Sequence, residues 1–265
     1  MVWIVDSHCH LDYDGLAGQL DAIIARAEEQ GVGFILSISS RIRKFAGVLA
    51  IAEKYQNVYS TIGTHPHHAH EELDVPVAEI VRLAQHPKVA GIGEAGLDYH
   101  YDNSPRDAQM QGFRNHIAAA RETGLPLVIH TREAEEDTAR VLEDEMRNGP
   151  FKAVLHCFTS QQWLAQRAVE LGLFVSFSGI LTYKNADDLR ATAQALPAER
   201  LFVETDAPFL SPVPFRGKSN EPAFVVKTLE HLAAIRGVSR DTMARQTSDN
   251  FFRCFDKIPK PAHFS

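Results

Sequence analysis

The sequence predicts an α/β fold of the (β/α)8 TIM-barrel type, formed by one domain that spans residues 1–265. Three observations carry this prediction. Short apolar segments recur along the whole chain, and helical patterns lie between them. The length of 265 residues also matches the roughly 250 residues that a barrel of eight strand–helix units occupies.

Eight apolar segments have the length and composition of parallel strands. Each is short and almost entirely apolar, as expected for a strand that is buried on both faces of the sheet. In chain order the predicted strands cover residues 3–5, 34–38, 58–62, 89–92, 127–129, 153–155, 173–177 and 201–203.

Helix signals separate these strands. Residues 104–124 combine a capping serine, a proline and apolar residues at helical spacing before a glycine. Similar patterns cover 20–30, the segment after residue 160 and the segment after residue 239. The residues expected to begin helices are Ser104 with Pro105, Ser160 and Ser239, and the glycines expected to end them are Gly31 and Gly124.

A doubly wound open sheet is the alternative architecture for alternating strands and helices. Its usual signature is a G-x-G-x-x-G turn after the first strand, where a dinucleotide binds. Here the first strand is followed by His-Cys-His at 8–10, and no Gly- or Ser-rich linker divides the chain. Both observations favour the barrel.

Composition restricts the classes of function. The net charge of −7 argues against a broadly basic surface, so a nucleic-acid contact would depend on local charge or on bound metal. Three cysteines do not form a disulfide framework and suggest a reducing compartment. The first residues lack a basic targeting segment and no apolar stretch is long enough to span a membrane, so we expect a cytoplasmic protein without an obligate protein partner.

Metal-ligand residue types follow six of the eight predicted strands, and the chain contains 13 His. In a TIM barrel the carboxyl ends of the strands carry the catalytic residues. His8 and His10 are two residues apart on a strand, so their side chains point to the same face. The other strand-end residues are His65 and His67, Glu94 with Asp98 beyond it, His130, His156, and Glu204 with Asp206.

These residues fall into two ligand groups that share one carboxylate. The first group is His8, His10, Glu94 and Asp206, and the second is Glu94, His130 and His156. Two ligand groups predict two divalent cations. Because nitrogen and oxygen ligands are mixed, we expect these cations to be drawn from Zn²⁺, Mn²⁺, Mg²⁺, Co²⁺, Ni²⁺ and Fe²⁺. Two cations about 3.5–4 Å apart polarise a phosphoryl or acyl oxygen and supply hydroxide near neutral pH, which predicts a hydrolase.

Catalytic roles follow from this grouping. Asp206 would act as a metal ligand and as the general base toward a metal-bound water, and Glu94 would hold the two cations together. Glu204 shares the face of Asp206 but lies deeper in the strand, so we expect it to orient a ligand histidine.

Seven motifs together resemble the TatD family of metal-dependent deoxyribonucleases, which belongs to the amidohydrolase-like hydrolases. They occur in the family's order and cover nearly the whole chain: DSHCH at 6–10, IGTHP at 62–66, GEAGLDY at 93–99, IHTR at 129–132, HCF at 156–158, VETDAP at 203–208 and RGKSNEP at 216–222. The resemblance implies the same six ligands and a DNA phosphodiesterase of the 3′–5′ exonuclease type. The chain departs from the family pattern at Ala95 and at Thr159-Ser160, beside the ligands.

DNA or another phosphoester is therefore the expected substrate. Two cations would offset the negative charge locally. The predicted phosphate contacts are His65, Arg132, Arg216 and Lys218, with Lys184 as a further candidate. His65, with His67 as a second choice, could instead contact a third cation. The alternatives are hydrolysis of a small amide, lactone or phosphoester on the same centre, and a binding barrel without catalysis, which would be expected to lack some of the ligands.

Overall fold

Residues 2–264 are described by a computed structural model, and they contain eight parallel strands that pair in chain order from β1 to β8. The terminal residues of the predicted domain, Met1 and Ser265, lie outside the described part. The strands are β1 (Ile4–Cys9), β2 (Val32–Ser37), β3 (Val58–Ile62), β4 (Val89–Asp98), β5 (Leu127–Arg132), β6 (Ala153–Leu155), β7 (Phe174–Phe177) and β8 (Leu201–Val203).

Helices lie between successive strands, which confirms the predicted (β/α)8 barrel. The α-helices of the described residues are α1 (Leu20–Glu29), α2 (Phe45–Lys54), α3 (Val77–Ala84), α4 (Arg106–Thr123), α5 (Glu135–Asn148), α6 (Gln162–Glu170), α7 (Asp187–Ala195), α8 (Val225–Arg236) and α9 (Arg240–Cys254). Within residues 2–264, none of them combines the length and the apolar character needed to cross a bilayer.

The ring closes between the first and the last strand, just beyond the end of β8. The backbone N–H of Asp206 donates to the carbonyl of His8 at 2.9 Å, and that of His10 donates to Ala207 at 2.7 Å. The buried Asp6 carboxylate reinforces this seam, because it accepts from the backbone N–H of Thr205 at 2.8 Å and from its hydroxyl at 2.6 Å. Closure therefore depends on residues adjacent to the candidate ligands.

Apolar packing fills the lower part of the barrel. Early strand residues such as Phe34, Phe174 and Phe202 pack with phenylalanines at the end of α9. The Phe202 ring lies 6.0 Å from Phe251 and 6.2 Å from Phe255, measured between ring centres. This cluster leaves the opposite, carboxyl-terminal end of the strands to polar side chains.

Three strands extend beyond their apolar cores. The predicted segments 3–5, 89–92 and 127–129 belong to β1, β4 and β5, which end at Cys9, Asp98 and Arg132. The polar extensions still pair as strands, since Gly96 is in register with His130, and Asp98 with Arg132. His8, Glu94 and His130 consequently lie within strands rather than after them.

The helix signals are mostly confirmed, with two errors. The prediction for Ser160 was wrong by one position, because Gln161 directly precedes α6, which begins at Gln162. Ser239 accepts from the backbone N–H of Thr242 at 3.1 Å and begins α9, and Gly124 ends α4 in the left-handed conformation, with a φ of 72°. The prediction for Ser104 and Pro105 was wrong by one position, because Pro105 is extended and α4 begins at Arg106. The Ser104 hydroxyl instead donates to the carbonyl of His67 at 3.0 Å.

Candidate metal centre

The structure brings together all six side chains that the sequence predicts as metal ligands. They come from β1, β4 and β5 and from the first one to three residues after β1, β6 and β8, so every one lies at the carboxyl-terminal end of the barrel. The side chains of His8 and Glu94 are only 1% exposed. The converging residues are His8, His10, Glu94, His130, His156 and Asp206.

The first predicted ligand group has the spacing of a metal site. His8 Nε2 lies 3.4 Å from both His10 Nε2 and Glu94 Oε2, and 3.6 Å from Asp206 Oδ1. His10 Nε2 lies 3.5 Å from Asp206 Oδ1 and 3.8 Å from Glu94 Oε2. Ligands about 2.1 Å from a tetrahedral cation are separated from one another by about 3.4 Å. His8, His10 and Asp206 therefore have the spacing of ligands to one divalent cation, and Glu94 Oε2 lies within 3.8 Å of both histidine nitrogens.

The second group surrounds the other oxygen of Glu94. Glu94 Oε1 lies 2.7 Å from His156 Nε2 and 2.9 Å from His130 Nδ1, and these two nitrogens are 3.4 Å apart. His65 Nε2 is also close to Glu94 Oε1, at 3.3 Å. Each oxygen of the Glu94 carboxylate thus faces a different set of histidines. Glu94 Oε2 is buried and has no hydrogen-bond partner among the described residues, as expected of an atom placed to bind a cation.

Two glycines allow Glu94 to reach this position. A Cβ at Gly93 would lie 2.5 Å from the carbonyl oxygen of Val128, and one at Gly63 would lie 2.4 Å from Gly93 Cα. The backbone at Gly93 also has a φ of 104°, which favours glycine. The backbone of β4 therefore approaches both neighbouring strands closely at Gly93.

Electrostatics keep the carboxylates ionised despite their burial. Burial alone would raise the pKa of Glu94, but His156, His65 and His130 hold it well below its usual range. Burial likewise opposes ionisation of Asp206, yet the contact with His10 and the nearby His8 lower its pKa. Both groups are consequently anionic at neutral pH, the state that binds a cation.

Two carboxylates fix the orientation of the second-group histidines. Glu204 Oε1 lies 3.3 Å from His156 Nδ1 and also accepts from the backbone N–H of Cys157 at 2.6 Å. Asp98 Oδ2 lies 3.0 Å from His130 Nε2. If each ring carries its single proton on the nitrogen that faces Glu204 or Asp98, the other nitrogen has a free lone pair. His156 Nε2 and His130 Nδ1 can then bind a cation beside Glu94. The geometry supports the orienting role expected of Glu204.

Asp98 is the residue whose part in the site the sequence does not reveal. Besides His130, its Oδ2 accepts from His67 Nε2 at 2.9 Å, while its Oδ1 accepts from the backbone N–H groups of His100 and Tyr101 at 3.1 and 2.9 Å. The buried side chain of Gln109 on α4 fixes the backbone of Asp98, because it accepts from the Asp98 N–H and donates to the Asp98 carbonyl. The available signal was the Asp of the GEAGLDY motif, four residues after Glu94 on the same strand.

His65 is arranged as a hydrogen-bond donor. Its Nδ1 accepts from the backbone N–H of His67 at 3.1 Å, so the proton of the neutral ring is on Nε2. Burial lowers the pKa of His65 to about 4, which keeps the ring neutral near pH 7. In the absence of a cation, a neutral ring with a protonated Nε2 can donate to an oxygen. His65 Nε2 also forms, with Glu94 and His130, a group that could hold a cation, so the substrate contact and the third cation both stay predictions.

A cavity of about 560 Å³ opens above the centre. Its wall includes His10, Glu94, Asp206 and the predicted phosphate contact Arg132. Two half-exposed aromatic rings, Tyr101 and Phe209, form part of its rim, with exposures of 54% and 48%. The cavity can therefore admit a ligand directly to the candidate metal ligands.

The remaining predicted phosphate contacts are not brought into this cavity. Arg216 and Lys218 are exposed in the loop that follows β8, and neither belongs to the cavity wall; Lys184 is exposed after β7. Their contact with substrate stays a prediction.

A TIM barrel whose mouth gathers histidines and carboxylates in this way defines the class of metal-dependent barrel hydrolases. The chain belongs to the TatD-related DNase family, whose family model matches residues 5–256. It is a metal-dependent hydrolase of that family, which confirms the resemblance seen in the sequence.

Individual relatives agree with this assignment. An Escherichia coli K12 protein named uncharacterized metal-dependent hydrolase YcfH is 38% identical over 257 residues, covering 96% of each chain. An Erwinia tasmaniensis protein named 3′-5′ ssDNA/RNA exonuclease TatD is 34% identical over 242 residues, covering 89% of this chain and 93% of that protein. The crystal structure of YJJV, a TatD homologue from Escherichia coli K12, superposes with a TM-score of 0.90 at 30% identity, covering 97% and 98% of the two chains.

Proposed function

We propose that this hydrolase cleaves phosphodiester bonds in DNA with a dinuclear centre, acting as a 3′–5′ exonuclease. The observation that carries the proposal is the Glu94 carboxylate, whose two oxygens face two separate histidine sets. His8, His10 and Asp206 would hold one cation, His130 and His156 would hold the second, and Glu94 would bridge them. Bound divalent cations of this kind polarise a phosphoryl oxygen and lower the pKa of a coordinated water.

The protein's own residues supply the remaining chemistry. Asp206 is the candidate general base, because its carboxylate is anionic, 14% exposed and part of the cavity wall, where it can accept the proton of the attacking water. His65 would donate from Nε2 to a phosphate oxygen, and the Arg132 guanidinium would bind the same phosphate from the cavity wall.

Nucleic acid is favoured as the substrate by the relative that is named an ssDNA/RNA exonuclease. The net charge of −7 does not oppose this choice, since about four positive charges from two cations would lie at the cavity floor, next to the scissile phosphate. The distal parts of the surface contribute less, because charges separated by more than about 10 Å are largely screened at physiological salt.

A labelled-oligonucleotide assay tests the proposal. The protein is stripped of metal, reloaded with Mg²⁺, Mn²⁺, Co²⁺ or Zn²⁺, and given a single strand labelled at its 5′ end. A 3′–5′ exonuclease produces a ladder of progressively shorter labelled products. Asp206→Asn is expected to reduce the rate at least about 100-fold, as loss of a general base typically does.

Asp256→Asn is a matched control, since it removes an exposed carboxylate that pairs with Lys152 at 2.6 Å. It should retain the wild-type rate. A metal-loaded protein that never shortens DNA would refute the proposal, and faster turnover of a small amide, lactone or phosphoester would identify the alternative substrate class.

A further inference from the structure

Two arginines at the mouth of the barrel lie on tyrosine rings and have no carboxylate partner. The guanidinium carbon of Arg216 is 4.0 Å from the centre of the Tyr183 ring, and that of Arg132 is 4.7 Å from the centre of Tyr101. Across residues 2–264, neither guanidinium forms an ion pair or a hydrogen bond, although most of the other arginines do. Their N–H groups are therefore free to bind an anion, while the rings hold the planes in place.

Tyr183 is a fixed platform next to the cavity. Its hydroxyl donates to the carbonyl of Ser211 at 3.1 Å, which joins the segment after β7 to the loop after β8. It directly follows a short 3-10 turn, Gly179–Thr182, whose Ile180 belongs to the cavity wall. Tyr183 is half-buried, whereas Arg216 is exposed above it.

The neighbouring surface on the other side of the cavity is acidic. A depression beside the end of β5 is lined by Glu133, Glu135, Glu136 and Asp137, together with Tyr99. On this side Glu133 pairs with His100 and Asp137 pairs with Arg140, whereas Glu135 and Glu136 have no such partner in the described residues. Along the loop after β8, Arg216 and Lys218 have no acidic partner in the described residues, so that side attracts a phosphate chain more strongly.

We infer that Arg216, held on the Tyr183 ring, forms a second phosphate subsite for the phosphate next to the scissile one. Tyr183 is a positioning residue that acts through Arg216. The inference rests on the proposed function and sharpens it, because a substrate that uses this subsite must contain at least two phosphates. An oligonucleotide meets this requirement, and a small phosphodiester with one phosphate does not.

Steady-state kinetics on two substrates separate positioning from a general structural role. The substrates are a single-stranded oligonucleotide of about ten nucleotides and bis(p-nitrophenyl) phosphate, which has one phosphate. Tyr183→Leu removes the ring and is expected to raise KM for the oligonucleotide about two- to five-fold, the worth of an exposed cation–π contact, with kcat retained. The small diester should show no such rise. Tyr183→Phe keeps the ring and should restore the lower KM.

A double-mutant cycle links the effect to Arg216. Arg216→Ala should raise KM for the oligonucleotide at least as much as Tyr183→Leu, and adding Tyr183→Leu to Arg216→Ala should produce no further rise. Arg245→Ala is the matched control, because Arg245 is exposed on α9 and also lacks a polar partner among the described residues. Equal KM effects of Tyr183→Leu on both substrates, or additive effects of the two substitutions, would overturn the subsite.

Binding without turnover distinguishes failure of this inference from failure of the proposed function. Anisotropy of the labelled oligonucleotide in EDTA should show the same two- to five-fold weakening in Tyr183→Leu. A protein that binds the oligonucleotide with this pattern but does not cleave it retains the subsite and loses the proposed activity. If the protein cleaves DNA but binds the oligonucleotide equally with and without the Tyr183 ring, only the subsite is refuted. If the protein does not bind the oligonucleotide at all, the subsite is refuted as well.

Discussion

Replacing Asp98 with Asn should weaken one of the two proposed cations selectively. The Asp98 side chain accepts from four N–H groups, two on histidine rings through Oδ2 and two on the backbone through Oδ1. An amide offers a single oxygen. If this oxygen keeps the backbone contacts, the amide N–H₂ group faces His130 Nε2 and repels its proton. His130 would then lose the orientation that directs Nδ1 toward Glu94.

The magnitude follows from the contacts that are lost. The Asp98 side chain is 1% exposed, so water does not replace the missing acceptor. Loss of the carboxylate that orients a ligand histidine typically reduces metal affinity about 10- to 100-fold, or about 1.4–2.7 kcal/mol. A hydrogen bond to a buried charged group is worth about 1.5–3 kcal/mol, which is a consistent range. The first ligand group, around His8 and His10, makes no hydrogen bond to Asp98 and should keep its affinity.

Calorimetric titration of the metal-free protein with Zn²⁺ measures both affinities. Asp98→Asn should show one cation bound as in the wild type and a second bound about 10- to 100-fold more weakly. Asp102→Asn removes a carboxylate from the same segment, where it is 46% exposed and pairs with Arg106, and is the matched control. Two wild-type affinities in a folded Asp98→Asn protein would refute the orienting role.

Three further predictions concern stability. Gly63→Ala should destabilise the fold by about 1–3 kcal/mol in urea unfolding, because its Cβ would lie 2.4 Å from Gly93 Cα, whereas Gly47→Ala in open space should not destabilise. Burial lowers the pKa of His116, so below about pH 6.5 the unfolded chain binds a proton at this residue more readily than the folded chain does. The folded state therefore becomes less stable as the pH falls below about 6.5. Between pH 7.5 and 5.5 the melting temperature of His116→Gln should fall less than that of the wild type. Removal of the cations with a chelator should lower the free energy of unfolding by about 3–4 kcal/mol if their concentration was 100 to 1,000 times Kd. The melting temperature should fall accordingly and recover when the cations are restored.

Hydrophobic pattern was sufficient to predict the barrel and insufficient to predict where its strands end. The apolar cores of β3, β6 and β8 coincide with the observed strands. β4 continues to Asp98 because its polar side chains point toward the barrel mouth while its backbone still pairs with β5. Hydropathy along the chain does not distinguish such a strand from a loop that follows it.

The candidate ligands could be predicted because each closely follows the apolar core of a strand, and the ends of parallel strands must meet at one end of a barrel. Residues that act through a second side chain could not. Asp98 depends on His67, on His130 and on Gln109, which lie on three different elements. Likewise, Arg216 and the Tyr183 ring on which it stacks lie in two different loops, and the separation of the two residues along the chain follows no helix or strand period from which the contact could be predicted.

The seam between β1 and β8 determines when the centre can exist during synthesis. His8 and His10 leave the ribosome early, whereas Asp206 and the Thr205 contact with Asp6 come almost two hundred residues later. The complete first ligand group thus forms only after the last strand has been made and has closed the ring. Metal loading consequently reports on completion of the barrel, and a chain truncated before β8 would keep His8, His10 and Glu94 without Asp206.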